Sequence, residues 1–202
     1  MEGPSDDEAL SYSLMHLFEQ YCQNIRVEIL HGDITSESES SPSNIVKKVG
    51  AIVQSFLNKY SLKKTDIAEI IQITDTDGAF ISTDKVHMDK SCRTPYYSPT
   101  GIRTQYPAKI IERNHKKAGI LRILRKTSKV ITIPYHIVFM SCNLDHVLYD
   151  KLNCSDEEKE KMPTIFKKNT RMICWDSGLI FRNPLFRYKV ILLKAGNSSK
   201  KI

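Results

Sequence analysis

The chain of 202 residues is 41% hydrophobic and 26% charged, enough to bury a sizeable core as one domain with an insertion or as two small ones. No run approaches the roughly 18 consecutive apolar residues of a membrane span, the acidic start lacks the basic and apolar regions of a secretion signal, and five scattered cysteines without a C-x-x-C pair indicate neither a disulfide framework nor a zinc ribbon, so a cytoplasmic protein with reduced thiols and no membrane partner is expected. The net charge of +7 is divided unevenly: residues 1–80 carry 13 acidic and 6 basic side chains, residues 81–202 carry 10 acidic and 24 basic, and such a pairing of acid with base suits an enzyme acting on a polyanion such as nucleic acid.

The first predicted element is a helix over about 6–22, opened by a Ser5 and Glu8 capping box and carrying Ala9, Leu10, Leu14, Leu17, Phe18 and Tyr21 at helical spacing. Residues 26–31 (RVEILH) read as a strand, and the Ser-rich run ITSESESSPSN reads as a polar loop. A second helix is expected over about 43–60, with Ile45, Val49, Ile52, Val53, Phe56 and Leu57 on one face. Ile67, Ile70, Ile71 and Ile73 then lead into Asp75 and Asp77, a continuous apolar run of the kind that suits a parallel strand covered on both faces. Residues 82–106, rich in Ser, Thr, Pro and Tyr, look like a long irregular excursion. Pro107 opens a basic helix to about Arg125, Lys129–Met140 returns as one strand, and Leu144–Leu152 reads as a short helix. A charged helix, the WDSG turn at 175–178 and a strand over Tyr188–Leu193 complete the pattern. Alternating helices and strands predict an α/β domain with a mainly parallel sheet flanked by helices and its ligand at the carboxyl ends of the strands. The expected division is 1–150, with the irregular and basic helical insertion at about 82–128, and a C-terminal extension over 151–202.

Two carboxylates two positions apart on a strand ordinarily face opposite ways, but the turn at Gly78 can bring Asp75 and Asp77 together. Like charges that close favour a cation, and Mg²⁺, with its preference for oxygen, suits phosphate chemistry. The bland alternative is that D-x-D-G is a turn. Between Arg103 and Lys129 lie Arg103, Lys109, Arg113, Lys116, Lys117, Arg122, Arg125 and Lys126 against the single acid Glu112, which reads as a surface that grips a nucleic-acid backbone. Tyr96, Tyr97 and Tyr106 are candidates for stacking on unpaired bases or for ordinary packing. His115, His136 and His146 are candidate proton carriers to which no role is assigned.

The start MEGPSDDEAL places Glu2 before Gly3 and Asp6 four residues on, and this E-G-x-x-D arrangement is followed by the apolar strand ending in D-x-D. The combination resembles the TOPRIM domain of topoisomerases, primases and the OLD and RloB-like nucleases, over about residues 1–150. The segment FMSCNLDHVLYD is similar to the S-N-P-x-F-E-x-W stretch of RloB-like proteins, with Asp145 in the place of the family's Glu. The resemblance implies a TOPRIM-like, Rossmann-like fold with Glu2 as general acid or base and metal ligand. It implies Asp75 and Asp77 as ligands for Mg²⁺, or Mn²⁺ as an alternative, with Asp6 and Asp145 as further ligands. The implied function is a metal-dependent nuclease cutting RNA, tRNA among its substrates, or DNA, in phage defence; a regulatory protein partner is a separate expectation that the resemblance does not carry. One departure is that Glu2 follows Met1 directly, where the family carries an apolar strand. The same h-h-h-h-D-x-D-G run also resembles the first motif of haloacid-dehalogenase-type phosphatases, with Asp75 as nucleophile and Asp77 as acid. A non-catalytic nucleic-acid-binding subunit with a degenerate site is the third reading.

Overall fold

The computed structural model describes residues 25–30, 32–140, 152–153, 155, 157–158 and 189–194. The expected helices at 6–22 and 144–152, the WDSG turn, Glu2, Asp6, Asp145 and His146 lie outside the described residues.

Helix α1 (Ile45–Lys59) forms where apolar residues recur at helical spacing, and Ile45, Val49, Val53, Phe56 and Leu57 are all at most 5% exposed. Asn44 knits the Ser-rich loop to its start, accepting from the Ser41 amide at 2.9 Å and donating to the Glu39 carbonyl at 2.9 Å. Strands β1 (Ile25–Leu30) and β2 (Ile67–Asp75) flank this helix in the chain. The core of β2 is buried at Ile67, Ile70 and Ile73, and each such burial stabilises by about 1.5–3 kcal/mol.

The excursion expected to be irregular contains a small sheet of strands β3 (Val86–Met88), β4 (Tyr96–Ser98) and β5 (Gly101–Thr104). Its order is β3-β5-β4, with β3 and β5 parallel and β4 and β5 antiparallel. Strands of three and four residues are too short to announce themselves by alternation. Helix α2 (Pro107–Lys126) follows, with Pro107 in its first turn, where a missing amide costs nothing. Val86 and Ile102 pack on Ile110 of this helix and so dock the small sheet on it.

The expected single strand at 129–140 is divided into β6 (Lys129–Val130) and β7 (Ile133–Met140). Ile131 and Thr132 both take positive φ, 45° and 81°, and close a two-residue hairpin. Ile131 packs on the main core, and its Cγ2 lies where a Cβ at Gly50 would be only 3.0 Å away. That packing offsets a backbone conformation β-branched residues disfavour.

The main sheet has the order β1-β8-β2-β7-β6, where β8 is Lys189–Lys194. Only β2 and β7 pair in parallel; β8 is antiparallel to both β1 and β2, and β6 to β7. The fold is α/β with a mixed sheet, where a mainly parallel one was expected, because a strand from the 151–202 segment enters between β1 and β2. Across that insertion β1, β2 and β7 still run the same way, so their carboxyl ends share one edge. Both helices contribute to a single core with Ile70, Ile133 and Tyr135. No helix among the described residues is long and apolar enough to cross a membrane.

Candidate functional site

The shared edge is built from the loop after β1, the turn after β2 and the first half of α2. Alternation along β2 sends Thr74 toward the helices and Asp75 to the opposite face, and both are buried, Asp75 completely. Asp77 takes φ 47° and Gly78 φ 71°, and the turn closes with the Ala79 amide donating to the Thr76 carbonyl at 2.7 Å. Helix α2 holds this turn from above. Arg113 Nη2 donates to the Asp77 carbonyl at 2.8 Å, and Asn114 Nδ2 to the Gly78 carbonyl at 3.1 Å.

The Asp77 carboxylate meets Asp33, not Asp75, and it does so through a lysine. Lys117, 3% exposed, donates to Asp77 Oδ2, to Asp33 Oδ2 at 3.0 Å and to Ser36 Oγ at 3.1 Å. Asp33 also accepts from the Thr35 amide at 2.9 Å and from the hydroxyls of Thr35 and Ser36. Burial pushes the Asp33 carboxyl up, but the Lys117 charge and the hydrogen bonds from Ser36, Thr35 and Lys117 outweigh it and hold the group well below the usual carboxylate range.

Above this cluster a cavity of about 220 Å³ opens between Thr35 and Ser36 of the β1 loop and Lys109, Glu112, Arg113, Lys116 and Lys117 of α2. Hydroxyls and cations lining one concavity are a chemistry that fits a phosphate group. The basic helix is therefore not one uniform gripping surface. Lys117 is buried as a counterion, Arg113 is tied to the D-x-D turn and to the Tyr97 hydroxyl at 3.1 Å, and Lys116 binds the Glu37 and Ser38 carbonyls at 3.0 and 2.7 Å. Arg103, Lys109 and Arg122 lie over the rings of Tyr96, Tyr106 and Phe80, while Arg125 and Lys126 are exposed in the last turn. The physical reason for Lys117 is spacing: it follows Ile110 by seven residues and Asn114 by three and precedes Leu121 by four, so it shares their buried stripe.

Asp33, Thr35, Ser36 and Asn114 were not singled out from sequence. The signals available were the D-x-T-S run after a strand, which suits side-chain-to-backbone bonding, and polar residues at i and i+3 within an apolar helical stripe. His136 places Nε2 2.9 Å from Glu69 Oε1 on an exposed part of the sheet, and His115 is exposed. Cys92 is a free thiol. Among the described residues no group of three or more His, Cys, Asp or Glu side chains could hold a metal ion. The D-x-D carboxylates are hard oxygen donors of the type Mg²⁺ takes, and the other ligands implied by the resemblance lie outside the described residues. Comparison with known protein families, curated proteins and solved structures finds no match.

Proposed function

We propose that the chain is a divalent-metal-dependent nuclease built on a TOPRIM-like domain. The observation that carries this reading is the juxtaposition, at the carboxyl end of the central strand β2, of the D-x-D turn with a cavity lined by two hydroxyls, three ammonium groups and a guanidinium against the single carboxylate of Glu112. In this reading Asp75 and Asp77 are the ligands of Mg²⁺, with Mn²⁺ as the alternative, which requires the Asp77 carboxylate to leave Lys117 and turn toward Asp75. When bound, the ion polarises a scissile phosphate and lowers the pKa of coordinated water. Arg113 and Asn114 hold the backbone of the Asp77–Gly78 turn, so the strand end stays in place while the Asp77 side chain exchanges Lys117 for the ion. Lys109 and Lys116, at the cavity, neutralise phosphate charge, while Thr35 and Ser36 supply hydroxyl donors. Glu2, as general acid or base, and Asp6 and Asp145, as further ligands, complete the proposed site. RNA including tRNA or DNA as substrate, a phage-defence setting and a regulatory protein partner belong to the same proposal.

The test is cleavage of end-labelled RNA and DNA by the full chain in Mg²⁺ or Mn²⁺, with a chelator as control. Cleavage is expected to stop with chelator and to fall about 100-fold in Asp75→Asn and Asp77→Asn. Variants that cut at the wild-type rate would overturn the assignment. A wild type that leaves nucleic acid intact but hydrolyses a small phosphate ester would replace it with the haloacid-dehalogenase-type reading, and binding without either reaction would leave a nucleic-acid-binding subunit.

A further inference from the structure

Two tyrosines on the described surface are exposed in spite of their size, Tyr96 at 42% and Tyr106 at 56%. Their exposure is not for want of an interior to enter. Tyr97, next to one of them, packs on the cluster of Val86, Ile102 and Ile110, and its hydroxyl accepts from Arg113. Each exposed ring instead has a cation over one face: the Arg103 guanidinium is 4.9 Å from the Tyr96 centroid, and Lys109 Nζ is 5.0 Å from that of Tyr106. A cation on one face fixes the ring, leaves the other face for a planar group and sets positive charge beside it. That is the arrangement a nucleotide uses, base on the ring and phosphate on the cation.

The two pairs are joined by the fold. Tyr96 stands opposite Arg103 in the β4–β5 register, and Arg103 precedes Tyr106 by three residues, a span of at most about 10 Å. Tyr106 immediately precedes α2, and Lys109, one turn in, lines the cavity with Arg113 and Lys116. Asp89, 3.6 Å from Arg103, and Glu112 at the cavity are outnumbered along this path by Arg103, Lys109, Arg113 and Lys116, and Asp33 and Asp77 beneath the cavity are bridged by Lys117. The small sheet is also coupled to the site, since Arg113 bonds Tyr97 with one nitrogen and the Asp77 carbonyl with the other.

We propose that Tyr96 with Arg103 and Tyr106 with Lys109 form a track for single-stranded nucleic acid that leads into the site cavity. The inference rests on the nuclease reading and narrows its substrate class to strands with unpaired bases. A duplex hides its base faces, so it could use the cations but not the rings.

The experiment is fluorescence anisotropy with the full chain in chelator, using a labelled oligo-uridine of sixteen nucleotides and a labelled hairpin duplex. Tyr96→Ala and Tyr106→Ala are each expected to weaken single-strand binding roughly tenfold while leaving duplex binding unchanged. Tyr96→Trp and Tyr106→Trp should restore it, and Arg103→Gln and Lys109→Gln should flatten the salt dependence for both probes. Single-strand binding unaffected by the alanine variants, equal loss for both probes, or no binding of the single strand by wild type would each overturn the track. Cleavage of the same oligonucleotide is read separately in Mg²⁺: tyrosine-dependent binding in chelator with no cleavage in Mg²⁺ would keep the track and overturn the nuclease reading, whereas cleavage in Mg²⁺ with tyrosine-independent binding would do the reverse.

Discussion

Replacing Lys117 with methionine is expected to lower folding stability by about 3–5 kcal/mol, because it removes one partner of a buried ionic cluster while the others stay buried. The ammonium is 3% exposed and bridges Asp33, whose side chain is 10% exposed, to Asp77, 19% exposed. Methionine fills a similar volume, so the loss reports charge and not a cavity. Asp33 would keep its donors from Thr35 and Ser36 but lose its cation. Adding Asp33→Asn should recover part of the loss, and the double-mutant cycle measures the coupling. Urea denaturation followed by circular dichroism checks both, with a melting temperature lower by about 10 °C as a companion readout. A loss below about 1 kcal/mol would show that the bridge contributes no more than a surface pair.

The same cluster sets an acid limb. The folded-state pKa of Asp33 lies well below its ordinary value of 3.8, so its stabilisation is fully present above about pH 4 and drains away as pH falls toward the folded value. Wild-type stability should therefore fall more steeply than that of Asp33→Asn between about pH 4 and pH 2, and urea titrations at several acid pH values measure the two slopes. Parallel slopes would mean that Asp33 does not carry this dependence.

Gly101→Ala is the second large effect, expected at about 2–6 kcal/mol from backbone strain added to a steric clash. Gly101 has φ +149°, and a Cβ there would lie 2.1 Å from the Lys85 carbonyl oxygen. That oxygen is backbone of the residue immediately before β3 and can move only if β3 and β5 separate, which would lift buried Ile102 and Val86 from α2. Gly32 provides the control. Its φ is +108°, but nothing lies within 4 Å of the added Cβ, so Gly32→Ala carries the strain alone, about 1–3 kcal/mol. Denaturation midpoints of the two variants separate the terms, and equal losses would remove the close approach from the account.

Much of the local structure was legible in the residues. Ile45, Val49, Val53, Phe56 and Leu57 predicted α1 to within two residues at its start, and Pro107 located the beginning of α2. The apolar run before Asp75 was a strand, and it is the strand paired on both sides by β8 and β7. The Ile131–Thr132 hairpin was not legible, since both are strand-favouring residues at positions where turns usually carry Gly or Asn.

By itself the sequence determined what depends on neighbours a few positions away: the apolar stripes of the helices, the extended runs, and the arrival of Asp75 and Asp77 at the end of one strand. Tertiary structure decided the rest. It inserted β8 between β1 and β2, turned Asp75 and Asp77 toward different surroundings, and drew Lys117 inward to meet Asp33, 84 positions earlier in the chain. The physical reason is that periodicity states which face of an element is apolar, whereas a charge on that face can be buried only where a distant element brings the opposite charge to it.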